Sequence, residues 1–495
     1  MEEKIEKFKK MIKEKKMIDS MLALLQWDLE TQAPKGGYKL ISEMIGELSL
    51  KSYNLTTSEE FSELLCELKE KEEKIDGILR KEIEILEEEM EKIKVIPSDE
   101  YRAYSELTAK AQGIWEVARE KNDFNSFAPI LEEIFNYNKK FIEYRGSNSD
   151  VYSIILNDYE KGMNIEKLDK FFEKLKSEIV PLLKEVTEKE KKSKENLNFK
   201  VDEYNQKMLS EELLKYIGFD LNRGILSESA HPFTLTVNKD DVRLTTRYFE
   251  NIPFSSVFST IHEGGHGIYE QGIGDELKET MLADGTSMGI HESQSRFYEN
   301  IIGRSKEFWF GFLEKSKFKY KELEEISLEK LYRDINEVSP SLIRVEADEL
   351  TYSLHIMVRY EIEKGIFSGE YSVMDLPKIW NEKMEKYLGI RPDNDSEGVL
   401  QDVHWSCGLI GYFPSYALGN VYSVQILNAM KKEMNIQGVL ERGELNKIKE
   451  WLNEKIHKYG KLKTPKEIMV EITGEEMNPD YYIKYLQEKY RSIYK

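Results

Sequence analysis

The chain has 495 residues, 40% of them hydrophobic and 33% charged, a globular composition long enough for one large core or several. Its 72 basic and 92 acidic side chains leave a formal net charge of -20, which argues against a nucleic-acid phosphate footprint. No continuous apolar run reaches the roughly 18 residues of a membrane span, and two cysteines are too few for a secreted disulfide scaffold.

A reducing cytoplasm is therefore expected, with Cys66 and Cys407 as small core hydrophobes rather than reactive thiols. The start, MEEKIEKFKKMIKEKK, has no signal-peptide apolar core after it. Residues 1 to about 26 read as a helix, broken by Thr31-Gln32-Ala33-Pro34-Lys35-Gly36-Gly37. From about 38 to 95 good helix formers dominate, with apolar residues at helical spacing such as Ile75, Ile78, Leu79, Ile83 and Leu86. Tyr101 to Glu120 is a further helix, and Phe127-Ala128-Pro129 opens the next near its first turn. Helix continues over 165–186. The polar stretch 187–200, with Lys189-Glu190-Lys191-Lys192, reads as a flexible connection with a solvated surface.

Residues 222–252 differ. Thr234–Val237 and Val242–Tyr248 alternate with a period near two around Asn238-Lys239-Asp240-Asp241, the pattern of a small antiparallel hairpin. Helix returns from about 254 to 380. Residues 391–403 form a polar loop, and 405–434 read as a buried helix interrupted by Gly408, Gly411, Pro414 and Gly419. The fold class is mainly α with one minor sheet. The expected organisation is a single domain, with an N-terminal helical region over 1–100 and a catalytic core over 222–420.

The chemistry concentrates at His262-Glu263-Gly264-Gly265-His266. Histidines at i and i+4 share a helix face and can reach one zinc ion, while the intervening glutamate can act on water as general base. Chance predicts about 0.01 such segments in a chain with this histidine content. Two glycines inside a helix cost roughly 1 kcal/mol each relative to alanine, so a close approach of backbone or substrate is expected there. A catalytic zinc also needs a third protein ligand. The segment 283–293 offers Glu292, His291 and Asp284, and spacing leaves the three open. His404, Tyr412 and Tyr416 are candidate donors to a tetrahedral oxyanion, although tyrosines in so apolar a stretch fit a core equally well. The two tyrosines, four apart, are expected on one helix face. Arg243 and Arg344 sit in semi-apolar segments and suit a substrate carboxylate, or else ion pairs with Asp241 or Asp348. Six of the 7 histidines lie between His231 and His404. Taken singly, His231 and His355 are more often structural than functional.

The chain also resembles the carboxypeptidase Taq family, the M32 metallocarboxypeptidases, over nearly its whole length. The resemblance rests on Leu24-Leu25-Gln26-Trp27-Asp28 with Pro34–Gly37, His231-Pro232-Phe233, Asp241-Val242-Arg243-Leu244-Thr245, the zinc helix, and His291-Glu292-Ser293-Gln294. Two more motifs follow, Ile343-Arg344-Val345-Glu346-Ala347-Asp348 and Gly398-Val399-Leu400-Gln401-Asp402-Val403-His404-Trp405. It implies an elongated helical fold with a deep groove, similar to neurolysin-like peptidases, and release of single C-terminal residues with broad specificity and proline disfavoured. It implies zinc, replaceable by cobalt, on His262, His266 and Glu292, with Glu263 as base and acid. His291 becomes a neighbour of the ligands or of substrate. Arg344 holds the substrate carboxylate, Arg243 limits substrate length beside His231, and His404 with Tyr416, or Tyr412, stabilises the transition state. A homodimer acting on peptides with free C-termini is implied. The rival readings are an endo- or dipeptidyl peptidase on the same scaffold, and a helical binding protein with structural histidines.

Overall fold

The computed structural model describes residues 1–146, 149–190, 200–316 and 326–495. The chain begins with helices α1 Glu2–Thr31, α2 Tyr38–Thr57, α3 Glu59–Lys69 and α4 Gly77–Lys94. Next come α5 Ser98–Lys121, α6 Phe124–Tyr144, α7 Val151–Tyr159, α8 Ile165–Glu190 and α9 Glu203–Ile217. Strands β1 Gly224–Glu228, β2 Thr234–Asn238 and β3 Asp241–Thr246 precede α10 Pro253–Gln271 and α11 Met288–Arg296. A π-helical turn, Phe297–Gly303, continues α11 and leads to α12 Lys306–Lys315. Beyond lie α13 Leu328–Asp334, α14 Glu349–Ser368, α15 Leu376–Leu388 and α16 Pro414–Glu433. The last are α17 Ile436–Glu441, α18 Asn446–Lys455, α19 Pro465–Thr473 and α20 Asp480–Ile493.

The segments gather into two compact units. The first holds Met1–Lys94, Leu197–Tyr332 and Ile426–Gly474, the second Val95–Asn196, Arg333–Gln425 and Glu475–Lys495. In the first, Phe8 and Ile12 of α1 close with Phe61, Leu64 and Leu68 of α3 and Leu79, Ile83 and Leu86 of α4 into one apolar core. The hairpin expected from the alternation is present. β2 and β3 pair antiparallel, with Thr234 opposite Leu244. The sheet is mixed, however, because β1 pairs parallel with β3. Val242 and Leu244 of β3 are fully buried, and this strand packs on α10.

Several expectations need correction. α6 starts at Phe124, where Asp123 caps the helix by accepting from Ser126 N–H, so Pro129 lies inside the helix and not in its first turn. The bond it forfeits belongs to the carbonyl of Asn125, an exposed residue that water can satisfy. Residues 405–413 are not helical. Gly408 and Gly411 take φ of +74° and +81°, which turns the chain before Pro414 opens α16. Tyr412 therefore precedes the helix and shares no helix face with Tyr416. Cys66 and Cys407 are exposed. Cys66 occupies the outward side of α3, next to buried Leu65, and Cys407 lies in the irregular segment. The expected flexible connection is helical as far as Glu190, and residues 191–199 lie outside the described residues.

In the second unit α14 is buried on all sides and carries His355, Arg359 and Glu363 inside. Glu363 accepts from Tyr152 O–H at 2.6 Å, Trp405 Nε1–H at 2.7 Å and Gly411 N–H at 2.9 Å. It thus fastens the irregular segment before α16 to α7 and α14.

Candidate metal centre

α10 begins with Pro253 in its first turn and runs unbroken through His262 and His266. The glycines between them permit close packing. A Cβ on Gly265 would meet Gln294 O at 2.7 Å and Ser295 Cα at 2.8 Å, both backbone atoms of α11, and one on Gly264 would meet Leu214 and Ile217 of α9. α11 is started by Ser287, whose side chain accepts from Ile290 N–H. With no Cβ at 265, α11 lies close enough to α10 to bring Glu292 against the histidine pair.

His262 Nε2 and His266 Nε2 lie 3.7 Å and 3.4 Å from Glu292 Oε2, and one donor atom from each residue falls within 4.8 Å of the others. Tetrahedral zinc with bonds of about 2.05 Å places its ligand atoms roughly 3.3 Å apart, so this donor set fits the ion with small adjustments. Of the three alternatives for a third donor, only Glu292 joins the cluster. Asp284 pairs instead with Lys461 at 2.7 Å. His291 stands behind His266, with Nδ1 to Nδ1 at 2.6 Å. Burial pushes His266 down to about 3, leaving it a neutral imidazole of the kind a metal requires. For Glu292, burial acts upward, but Arg296 and the two histidines outweigh it and hold the carboxyl below its usual value.

Glu263 is buried, and its Oε2 accepts from Thr234 O–H of β2 at 2.6 Å. Burial raises its pKa, against the pull of His262 and of the Thr234 bond. Sequence reasoning missed Thr234 as a site residue, because its link to Glu263 depends on how the sheet crosses α10. It also missed Glu299, which lies 2.9 Å from His262 Nδ1 and is paired with Arg296 and Arg304. A signal was present there: Glu292, Arg296 and Glu299 follow i, i+4, i+7 spacing. His231 is exposed between β1 and β2 and is not in the donor cluster. Arg243 is engaged by Asp241 at 2.9 Å and 2.8 Å, and its guanidinium lies 5.7 Å from the Trp27 ring.

The second unit has a cluster of its own. Arg344 donates from Nε to Asp402 Oδ1 at 3.0 Å and from Nη1 to Tyr352 at 3.1 Å, and does not pair with Asp348, which caps α14 by accepting from Thr351 N–H. Arg359 donates to the other oxygen of Asp402 at 2.7 Å and to Gln401 at 2.8 Å. His404 Nε2 is 3.1 Å from the Tyr416 hydroxyl, and the Arg344 guanidinium lies 5.0 Å from the Tyr416 ring. The Tyr412 and Tyr416 rings meet edge to face at 5.2 Å. Burial pushes His404 down to about 3, so the ring is neutral.

Two histidines and a glutamate in ligand geometry, with a buried glutamate directly after the first histidine, define the class as metallopeptidase. The comparisons sharpen this. A family model described as Carboxypeptidase Taq (M32) metallopeptidase matches residues 7–490, and the chain belongs to that family and is a metallocarboxypeptidase. It is 47% identical over 476 residues to Carboxypeptidase 1 of Bacillus subtilis, covering 96% of this chain and 95% of that one. It is 38% identical over 474 residues to Thermostable carboxypeptidase 1 of Pyrococcus furiosus, covering 94% of each. Among solved structures, the M32 carboxypeptidase from Deinococcus radiodurans superposes with a TM-score of 0.96 at 31% identity, over 99% of both chains.

Proposed function

We propose that the protein is a zinc carboxypeptidase that removes single C-terminal residues from peptides, with broad specificity and proline disfavoured. The observation that supports this best is the donor triad His262, His266 and Glu292, whose 3.4 Å and 3.7 Å spacings suit one tetrahedral ion, beside a buried Glu263. A zinc ion held by these three supplies Lewis acidity and acidifies water at neutral pH, and cobalt can supply the same chemistry. Glu263 takes the proton of the attacking water and returns it to the leaving amine. The Thr234 hydroxyl orients the Glu263 carboxylate while this happens.

Arg344 is the proposed partner of the substrate's terminal carboxylate, with Asp402 and Tyr352 fixing its plane. Tyr416 donates its O–H to the oxyanion. His404, a neutral ring with Nε2 3.1 Å from the tyrosine oxygen, holds that hydroxyl in place. Tyr412 supports Tyr416 through ring contact. Arg243, stacked by Trp27 and held by Asp241, limits the length of peptide beside His231. The proposed setting is a cytoplasmic homodimer. Of the described residues, no helix is long and apolar enough to cross a membrane.

Zinc content and peptide hydrolysis measured together in wild type and Glu263→Gln test the reading. Both proteins should hold one zinc per chain, with hydrolysis falling at least about 10³-fold in the variant. A variant that still hydrolyses peptides near the wild-type rate removes Glu263 from the reaction.

A further inference from the structure

The two histidines of the centre are held from behind in different ways. His262 Nδ1 faces a carboxylate, Glu299, which two arginines neutralise. His266 Nδ1 faces another imidazole, 2.6 Å from His291 Nδ1. At that separation one nitrogen carries the proton and the other a lone pair. Which is which follows from the far sides of the two rings together. His291 Nε2 lies 2.8 Å from Oε1 of Glu270, a buried residue whose carboxylate can only accept. His291 therefore carries a proton at Nε2, and with His266 bound to a metal through Nε2 the other shared proton sits on His266 Nδ1, so the His291 ring is neutral and its Nδ1 bears the lone pair. His266 must donate from Nδ1, which leaves the lone pair of its Nε2 on the side where Glu292 Oε2 stands at 3.4 Å.

The fold is built to hold this chain of bonds. His262, His266 and Glu270 follow each other at i, i+4 and i+8 along α10, and α11 inserts His291 between the last two. The insertion needs a glycine opposite. A Cβ on Gly285 would lie 2.5 Å from His291 Cδ2 and 3.1 Å from Tyr269 Cε1. Tyr269 also packs against the His291 ring, with centroids 5.1 Å apart, and its hydroxyl accepts from Thr286 N–H.

We propose that Glu270 is a positioning residue for the metal, acting through His291 to hold His266 in the tautomer and ring plane that present Nε2 to the ion. The proposal rests on His262, His266 and Glu292 being the metal ligands. It places a carboxylate two imidazoles away in control of how tightly the centre holds its ion, where His262 has its carboxylate in direct contact.

Zinc affinity of the full chain, read by chelator competition, tests it in wild type, Glu270→Ala, Glu270→Gln, His291→Phe and His266→Ala. Removing a partner of this kind weakens metal binding 10- to 100-fold, and that loss is expected for Glu270→Ala and for His291→Phe. Glu270→Gln keeps an oxygen that accepts from His291 Nε2–H and should stay within roughly threefold of wild type. Wild-type affinity in Glu270→Ala overturns the proposal while leaving the metal site intact, and so does Glu270→Gln falling as far as Glu270→Ala. Failure of the wild type to bind zinc, or binding unchanged in His266→Ala, overturns the ligand assignment and the proposal with it. A second readout needs no variant. In the cobalt-loaded wild type, each histidine bound through Nε2 retains a ring N–H, seen as a hyperfine-shifted proton resonance present in H2O and absent in D2O. Two such resonances are expected, from His262 and His266, and one alone contradicts the tautomer assigned to His266.

Discussion

Glu263 and Arg344 illustrate how a buried charge is made usable. Glu263 loses water on burial and gains one hydroxyl donor, from Thr234, so one oxygen is committed and, in the proposed role, the other would handle the proton. Arg344 is buried too, but two of its nitrogens are already committed to Asp402 and Tyr352. Those bonds remove rotational freedom before any substrate arrives, which lowers the entropy that binding must overcome. If Arg344 binds the terminal carboxylate, Arg344→Ala should raise KM and lower kcat/KM by roughly 10- to 150-fold, the equivalent of about 1.5–3 kcal/mol for a hydrogen bond to a charged group. Zinc content should not change. Steady-state kinetics with a free-acid peptide check this, and an unaltered KM would remove Arg344 from substrate recognition.

At the scale of elements, the centre exists because α10 and α11 touch backbone to backbone at Gly265. Gly265→Ala puts a methyl within 3 Å of Gln294 O and Ser295 Cα, and neither backbone atom can swing aside as a side chain could. The variant should lose about 1–3 kcal/mol of stability through overpacking and bind zinc more weakly, since Glu292 moves with α11. Thermal unfolding and zinc titration measure the two effects, and a variant equal to wild type in both would show that the helices do not need this contact. Much of this element was legible beforehand. The pair at i and i+4, the adjacent glutamate and the unusual glycines all lie within five residues, so local spacing carried them. What spacing could not carry was the choice among Asp284, His291 and Glu292, which depends on the angle at which α11 meets α10. Nor could it show Thr234 on Glu263 or the parallel pairing of β1, since both come from contacts distant along the chain. The segment 405–413 was misread for a different reason. Its apolar residues resemble a buried helix, but positive-φ Gly408 and Gly411 and the grip of Glu363 on Trp405 and Gly411 favour an irregular path.

For the molecule as a whole, each unit encloses a carboxyl group that burial pushes up to about 7, Glu82 in the first and Glu363 in the second. Glu82 accepts from Met281 N–H, and Glu363 accepts from three donors, yet in both the loss of water prevails. The sign follows from proton counting. Between the unfolded value of 4.5 and about 7, the folded chain keeps a proton that the unfolded chain has released. The stabilisation is complete below the unfolded value and is lost as pH rises through about 7. For Glu363 it amounts to on the order of 3 kcal/mol. Glu363→Gln cannot ionise, so the difference in unfolding temperature between variant and wild type should shift in favour of the variant as pH rises from about 5 to about 8. A difference that stays constant over that range would mean that Glu363 keeps the same charge in both states.

The match to the family runs from residue 7 to residue 490, and the carboxypeptidase reading turns on what the protein does to a peptide. Its most direct test is mass-spectrometric analysis of one peptide presented to the zinc-loaded protein with a free C-terminal carboxylate and, separately, with a C-terminal amide. Stepwise loss of single residues from the free acid, and little or none from the amide, is expected. Equal cleavage of the two, or release of internal fragments, would contradict it.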